Sequence, residues 1–198
     1  MENVINRAKE IVFQPKKAWE NIRVENSTAS GILKSYVLPL ALIPSIASFI
    51  GYGFIGVTVP FAGRMHSIGW GLNQALTSFV SLFLGILVSS WVISWLAPKF
   101  DTTPNLNNTV KLVAYSFTPA MLGGVFSIIP ALAIIGVLAG LYSLYVLYLG
   151  FKPITNVSED KTTTYFIVSL VVIIGVYIVL GVVLGLVFAS VGISGFKY

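Results

Sequence analysis

The chain alternates long apolar stretches with short polar ones. Four stretches contain no Asp, Glu, Lys or Arg, and they cover residues 35–63, 65–98, 112–151 and 162–196. A helix of about 20 apolar residues crosses a hydrocarbon core of about 30 Å. A soluble fold of 198 residues cannot bury more than two-thirds of its chain in this form, because its surface-to-volume ratio is too high. The pattern therefore predicts an all-α, polytopic integral membrane protein.

The longest stretch, 112–151, contains two crossings. A single helix of that length would extend about 60 Å, which is twice the hydrocarbon thickness. Pro130 interrupts helical hydrogen bonding, so the chain is expected to fold back at 127–130. The other stretches supply one crossing each. The sequence thus predicts five spans, at about 36–56, 72–97, 110–128, 130–151 and 165–189.

Residues 1–34 form a polar, amphipathic segment ahead of the five-helix transmembrane domain, 35–198. Pro15 ends one predicted helix and begins a second, on which Trp19 and Ile22 share a face. Two interpretations remain: the segment packs on the membrane and its own bundle, or it docks a partner protein. The apolar face of the first helix is predicted to contain Val4, Ile5, Ala8, Ile11 and Val12, with Arg7 among the polar residues opposite.

Basic residues set the predicted orientation. Ten of the twelve Lys and Arg residues lie in the N-terminal segment and in the second and fourth loops. Because basic residues are enriched on the cytoplasmic side, we expect a cytoplasmic N-terminus and an external C-terminus. Lys111 is placed at the edge of the second loop, so no charged side chain is expected inside a span. Glycosylation-type sequons at Asn26, Asn107 and Asn156 fall on the cytoplasmic side and are predicted to be unmodified.

Composition removes several functional classes. Charged residues make up 10% of the chain, the mean hydropathy is +0.89, and there is no cysteine. The formal net charge of +5 is dispersed rather than clustered, so no nucleic-acid partner is expected. His66 is the single histidine and is interpreted as a solvated loop residue. We therefore predict no catalytic residues, no metal, no cofactor and no enzymatic activity.

The spans carry hydroxyl groups and small residues instead of charges. Tyr142, Tyr145 and Tyr148 follow one another on span four, with Tyr115 on span three. Their hydroxyl groups either bond within the bundle and anchor it, or line a ligand cleft. Pro119 is expected to kink span three.

Small residues recur at four-residue spacing on four of the spans. Such spacing lets helix backbones approach closely, either within the chain or between copies. The sets are Ser81, Gly85 and Ser89; Ser116, Ala120 and Gly124; Gly136 and Gly140; and Gly181 and Gly185.

Several motifs together resemble the Yip1 family, in particular its short prokaryotic branch. The segment Ala114-Tyr115-Ser116-Phe117-Thr118-Pro119, followed by Ile129-Pro130-Ala131, is similar to the family's Tyr-Ser-x-x-Pro span and its next turn. The Tyr-rich segment 141–150 and Thr164-Tyr165 resemble the following helices, and Pro15-Lys16-Lys17-Ala18-Trp19 resembles the family's N-terminal entry.

The resemblance implies a five-span bundle with a cytoplasmic N-terminus. Eukaryotic relatives are associated with Rab GTPases and vesicle traffic, but the Asp-Leu-Tyr-Gly-Pro motif before the first span is missing, which argues against GTPase binding. Our first hypothesis is a non-enzymatic scaffold or adaptor that contacts the lipid bilayer and other membrane proteins or a second copy. The alternative is a passive channel, small-molecule transporter or lipid-translocating protein. A cavity beside Tyr115 and Tyr142 would favour transport, and a solid core would favour the scaffold.

Overall fold

The structure is a computed structural model that describes residues 2–59 and 63–190, with side chains described as far as Val179. Five of its helical segments are long and apolar enough to cross a membrane. The predicted all-α polytopic architecture is therefore confirmed.

Two short helices precede the first span. Helix α1 covers Glu2–Phe13 and α2 covers Pro15–Val24. Pro15 stands in the first turn of α2, where its missing N–H costs nothing. Ala8 and Ile11 of α1 are buried as predicted, Val4 and Val12 are half-buried, and Trp19 and Ile22 are buried together on α2 as predicted.

Two assignments on α1 are wrong. Ile5 is 54% exposed, whereas Arg7, expected on the solvent face, has a largely buried side chain. The reason is tertiary: Arg7 forms an ion pair with Glu25, which follows α2. This long-range pair turns α1 so that Arg7 faces inward and Ile5 faces outward.

The first span is one helical run from Ala29 to Ile55. It comprises α3 (Ala29–Ile32), a π-helical turn, α4 (Leu38–Ile50) and a second π-helical turn. Thr28 caps its start by accepting a hydrogen bond from the Gly31 N–H at 3.1 Å. Pro39 lacks the N–H that an α-helix would donate to residue 35, which accounts for the widened turn just before α4.

A small hairpin links the first two spans and was not predicted. Strand β1 (Val57–Val59) pairs antiparallel with β2 (Gly63–Met65), with Thr58 opposite Arg64. Helix α5 then runs over Ile68–Leu96 and continues as a 3-10 turn. The Ser67 side chain caps α5 by accepting from the Trp70 N–H at 3.1 Å, so this helix begins earlier than the predicted residue 72.

The third span is broken where Pro119 predicted a kink. Helix α6 covers Leu106–Ser116, α7 covers Thr118–Gly123, and a 3-10 segment follows as far as Ile128. The fold-back at Pro130 is also confirmed, because α8 runs over Ala133–Thr155 in the opposite direction. Helix α9 covers Glu159–Ser190, and Gly181 and Gly185, whose packing was predicted, lie beyond the residues whose burial and contacts are described.

The third span lies at the centre of the bundle. Helix α6 packs on α5 and α8, while α7 packs on α4 and α8; α9 packs mainly on α5. Fully buried Leu112, Val113 and Met121 form part of the apolar core together with Ile86 and Ile93 of α5. We call the end of the bundle that carries α1, α2 and the loop 101–105 the proximal end. The opposite end, which carries the β1–β2 hairpin, is the distal end.

Candidate functional site

The α1–α2 hairpin docks on the proximal half of the bundle through a specific tryptophan contact. Trp19 is fully buried, and its Nε1–H donates to the Val146 carbonyl of α8 at 3.0 Å. The indole lies directly over Gly150, where any Cβ would overlap its ring. Glycine at 150 therefore provides the space, and Val146 provides the hydrogen-bond partner, that hold α2 against α8.

Lys111 anchors the other end of α2, contrary to the prediction that placed it at a loop edge. It lies within α6 and is only 2% exposed. Its Nζ donates to the carbonyl oxygens of Ile22, at 3.2 Å, and of Glu25. These carbonyls close the C-terminal end of α2, where a cation is favourable. The position of Lys111 inside the predicted span 110–128 was a signal of this role.

A charged network joins α1 to α2. Arg7 pairs with Glu10 at 3.0 Å and with Glu25, and its guanidinium lies 5.9 Å from the centre of the Tyr115 ring. Asn21 Nδ2 donates to Glu10 at 2.6 Å. The sequence indicated Tyr115 as a candidate but gave no signal that Arg7 would face it.

Tyr115 belongs to a buried aromatic pair that links the first and third spans. Its ring meets Tyr36 edge to face, with centroids 4.7 Å apart. The Tyr36 hydroxyl lies 2.8 Å from Thr118 Oγ1, which donates to the Tyr115 carbonyl at 2.6 Å. Neighbouring Ser116 is buried and donates to Leu112 in its own helix. The hydroxyl groups of Tyr36, Thr118 and Ser116 therefore have partners within the bundle.

The three tyrosines of span four do not form one site. The Tyr142 hydroxyl donates to the Val12 carbonyl of α1 at 2.8 Å. Tyr145 and Tyr148 are exposed, and the Tyr148 hydroxyl lies 3.3 Å from Thr163 Oγ1 of α9. Tyr142 thus joins the docking contacts of the hairpin, whereas the other two face outward.

A cavity of about 580 Å³ separates α1 from the first and third spans. Tyr115 is among its lining residues and Tyr142 is not, so the structure places only half of the predicted pair beside a cavity. Among the described residues, no group of three or more His, Cys, Asp or Glu side chains could hold a metal ion. The cavity is lined by Asn3, Val4, Asn6, Arg7, Glu10, Ser35, Tyr36 and Tyr115.

Close helix contacts occur at Gly85 and Gly124, which the sequence emphasised, and also at Gly123, which it did not. A Cβ at Gly123 would overlap Ala139, and one at Gly124 would overlap Pro44. Gly136 lies near the Gly123 carbonyl, but Gly140 has open space around it. Packing within the chain therefore applies to Gly136 and not to Gly140.

The Yip1 domain model matches residues 9–193, which is nearly the whole chain. The chain belongs to the Yip1 domain family. It is similar to "Inner membrane protein YohC" of Escherichia coli strain K12, with 30% identity over 156 residues, or 76% of this chain and 80% of the relative. The same figures hold for the protein of that name from E. coli O6:H1. No solved structure matches.

The family match and the five apolar helices together give the protein's setting. It is a multi-pass integral membrane protein of the prokaryotic type, as the motifs around Tyr115, Pro119 and Pro130 indicated. The match begins at residue 9, so α2 and its Trp19 lie within the family domain.

Proposed function

We propose that the protein is a non-enzymatic membrane scaffold that presents the α1–α2 hairpin to other membrane proteins on the cytoplasmic side. The observation that carries this proposal is the fixed docking of the hairpin by Trp19, Lys111 and Tyr142. Docking buries one face and leaves the charged face, with Lys16 and Lys17, exposed in a defined orientation. A rigidly held surface loses little conformational entropy when a partner binds.

The centre of the bundle also supports a scaffold rather than a channel. Side chains there are aliphatic and fully buried, as Ile86, Ile93 and Leu112 illustrate. Several serine hydroxyls of the spans donate to carbonyls of their own helices, for example Ser45 to Ala41 and Ser116 to Leu112. Hydroxyl groups used in this way do not offer a polar path to a solute.

A charge-reversal experiment tests the adaptor role. Lys16→Glu with Lys17→Glu changes the exposed face while the buried Trp19 contact is retained. We expect recovery of co-purifying membrane proteins in detergent to fall to background, because the electrostatic match with a partner is reversed. Arg64→Glu, on an exposed residue of the distal hairpin, is the matched control and should leave recovery unchanged. Equal recovery from all three proteins would refute the proposal.

The proposal requires that the α1–α2 hairpin lie on the cytoplasmic side and the β1–β2 hairpin on the external side. Because the protein has no cysteine, single-cysteine variants label at one site only. We expect Arg64→Cys to react with a membrane-impermeant maleimide added to intact cells, and Asn26→Cys to react only after lysis. The opposite pattern would place the hairpin outside the cytoplasm and exclude a cytoplasmic partner.

The cavity beside Tyr115 favours a second candidate function, lipid translocation. It combines polar groups such as Asn6 and Arg7 with the Tyr36 ring, as a head-group site would. Reconstituted protein should then speed the transbilayer exchange of fluorescent phospholipids. Exchange at the rate of empty vesicles would remove this candidate without affecting the adaptor.

A further inference from the structure

The lipid-facing apolar belt has full membrane height on α5. Leu72, Leu76 and Leu84 are among its exposed aliphatic side chains, and Trp70 and Trp91 flank the belt. The distance along the helix from Trp70 to Trp91 is about 31 Å at 1.5 Å per residue. This matches a hydrocarbon core of about 30 Å, with tryptophans at both interfaces.

The corresponding belt on α8 is about half as high. Its exposed aliphatic side chains run from Ile134 to Leu141, and exposed Tyr145 and Tyr148 follow. Ile134 and Tyr145 are separated by about 17 Å along the helix. Tyrosine, like tryptophan, is typical of the membrane interface. On this face, the side chains suited to lipid tails therefore end roughly halfway across a normal bilayer.

The α1–α2 hairpin packs beside this face, on the side of α8 that carries Tyr142, Val146 and Gly150, and it reaches the middle of the bundle. Its Val12 carbonyl is held by Tyr142, next to Ser143, and Ser143 lies level with Ala120 because its Oγ accepts from the Ala120 N–H at 3.0 Å. Ser143 is about 15 Å from the distal start of α8 at Ala133 and about 18 Å from its proximal end at Thr155. Helix α1 accordingly contacts α7 as well as α6.

Two exposed lysines follow soon after Val12, the residue that lies near the middle of the bundle. Lys16 and Lys17 begin α2, which then returns towards the proximal end through Trp19 at Val146. Both lysines lie in the chain between Val12, held at Tyr142, and Trp19, held at Val146, so they are placed well inside the proximal end of α8. An exposed lysine at this depth in hydrocarbon would be strongly unfavourable, so the surroundings must supply water or anionic groups.

The polar cavity beside α1 lies at a comparable depth. Arg7, on its wall, faces Tyr115, which is six residues distal to Thr109 on α6. Ser90 Oγ of α5 donates to the Thr109 carbonyl at 3.2 Å, so Leu84, six residues distal to Ser90, shares the height of Tyr115. At one height, the molecule presents a lipid-facing leucine on α5 and an open polar recess beside α1.

We propose that the protein thins the proximal leaflet on its α8 face, where phospholipid head groups and water descend to the exposed basic residues of the α1–α2 hairpin. The apolar belt of α8 then meets lipid tails over its own reduced height, and α5 meets a bilayer of ordinary thickness. Such mismatch is relieved by local deformation of the bilayer. Phosphate groups satisfy Lys16 and Lys17, and the cavity beside Arg7 stays hydrated. This inference does not depend on the adaptor role.

Spin-label accessibility in proteoliposomes of phosphatidylcholine and phosphatidylglycerol tests the proposal. Nitroxides are placed on full-length Asn6→Cys, Lys16→Cys and the height-matched control Leu84→Cys. A water-soluble nickel chelate should collide with the labels at positions 6 and 16 at least about fivefold more often than with the label at 84, because polar solutes are excluded from hydrocarbon. Leu84 should instead show frequent collisions with oxygen.

A second measurement verifies that the hairpin stays docked. In each cysteine variant before labelling, the tryptophans other than Trp19 are replaced by Phe, and Trp19 emission is titrated with acrylamide. The proposal is supported if the labels at positions 6 and 16 collide frequently with the nickel chelate and acrylamide does not quench Trp19 emission. Nickel-poor labels at 6 and 16 would overturn it, because the bilayer would then have full thickness there. Frequent nickel collisions together with acrylamide quenching of Trp19 would also overturn it, since the α1–α2 hairpin would then be detached from the bundle.

Discussion

Tryptophan has different surroundings on the α5 side of the bundle and on the side where α2 packs against α8. On α5, Trp91 and Trp95 stack on each other with ring centroids 6.1 Å apart and are more than half exposed. On the α8 face, Trp19 is fully buried and donates its Nε1–H to a carbonyl of another helix. The first pair is exposed on the surface of α5, whereas Trp19 makes one specific contact that fixes the N-terminal helices. The difference shows that the bundle has an ordinary membrane face and a specialised one.

Truncating Trp19 should give the largest effect. Trp19→Ala removes a fully buried indole and is expected to lower the free energy of unfolding by about 3–5 kcal/mol. Thermal unfolding in detergent micelles measures the change, and limited proteolysis reports release of α1–α2. Trp91→Ala is the matched control and should stay within about 1 kcal/mol, because that ring is already exposed. Similar losses for both variants would remove the distinction between the faces.

Filling the space above Gly150 should have an intermediate effect. Gly150→Ala places a methyl group against the Trp19 indole and is expected to cost about 1–3 kcal/mol through overpacking. Gly140→Ala, on the same helix but in open space, should be neutral or slightly stabilising, because alanine is the better helix former. The two variants are compared by unfolding in mixed micelles. A neutral Gly150→Ala would mean that Trp19 is not seated there.

Neutralising Lys111 should have a smaller effect that remains measurable. Lys111→Met leaves the Ile22 and Glu25 carbonyls without their donor and is expected to cost about 1–2 kcal/mol. Lys152→Met breaks only an exposed ion pair with Glu159 and should cost less than about 0.5 kcal/mol. Amide hydrogen exchange in α2 gives a local readout, since its C-terminal turn should open more often in Lys111→Met. Unchanged exchange there would contradict the anchoring role of Lys111.

Loss of the Tyr142 hydroxyl should produce the smallest change. Tyr142→Phe removes one hydrogen bond to the Val12 carbonyl and is expected to cost about 0.5–1.5 kcal/mol. Tyr145→Phe, on an exposed neighbour, should have no measurable effect. Unfolding in the same micelles compares the two, and a larger loss from Tyr145→Phe would reverse the roles assigned to these tyrosines.

The fold was largely predictable because its rules are local. The fold-back at Pro130 and the break before Pro119 follow from the missing N–H of proline, which acts wherever it occurs in a helix. The predicted positions of the helix ends were less accurate. Thr28 and Ser67 cap two of the spans, which therefore begin before their apolar residues. A hydropathy pattern contains no information on such caps, because the capping residues are polar.

The docking site was only partly predictable. Tyr115, Tyr142 and Trp19 were singled out from the sequence, but Arg7 was assigned to the wrong face and Lys111 to a loop. Both errors have the same cause. Arg7 pairs with Glu25, 18 residues away, as well as with neighbouring Glu10, and Lys111 donates to carbonyls 86 and 89 residues away. Periodicity within one helix cannot indicate contacts at these long separations.

The sequence by itself determined the class of this protein, its five crossings, its family and its fold-back, because the bilayer demands apolar length and satisfied backbone groups in each segment separately. Only the tertiary structure decided where the N-terminal helices lie, which tyrosine holds them and which lysine ends α2. It also decided that the two faces of the bundle present apolar belts of different height, since exposure to lipid depends on which helices pack against each other.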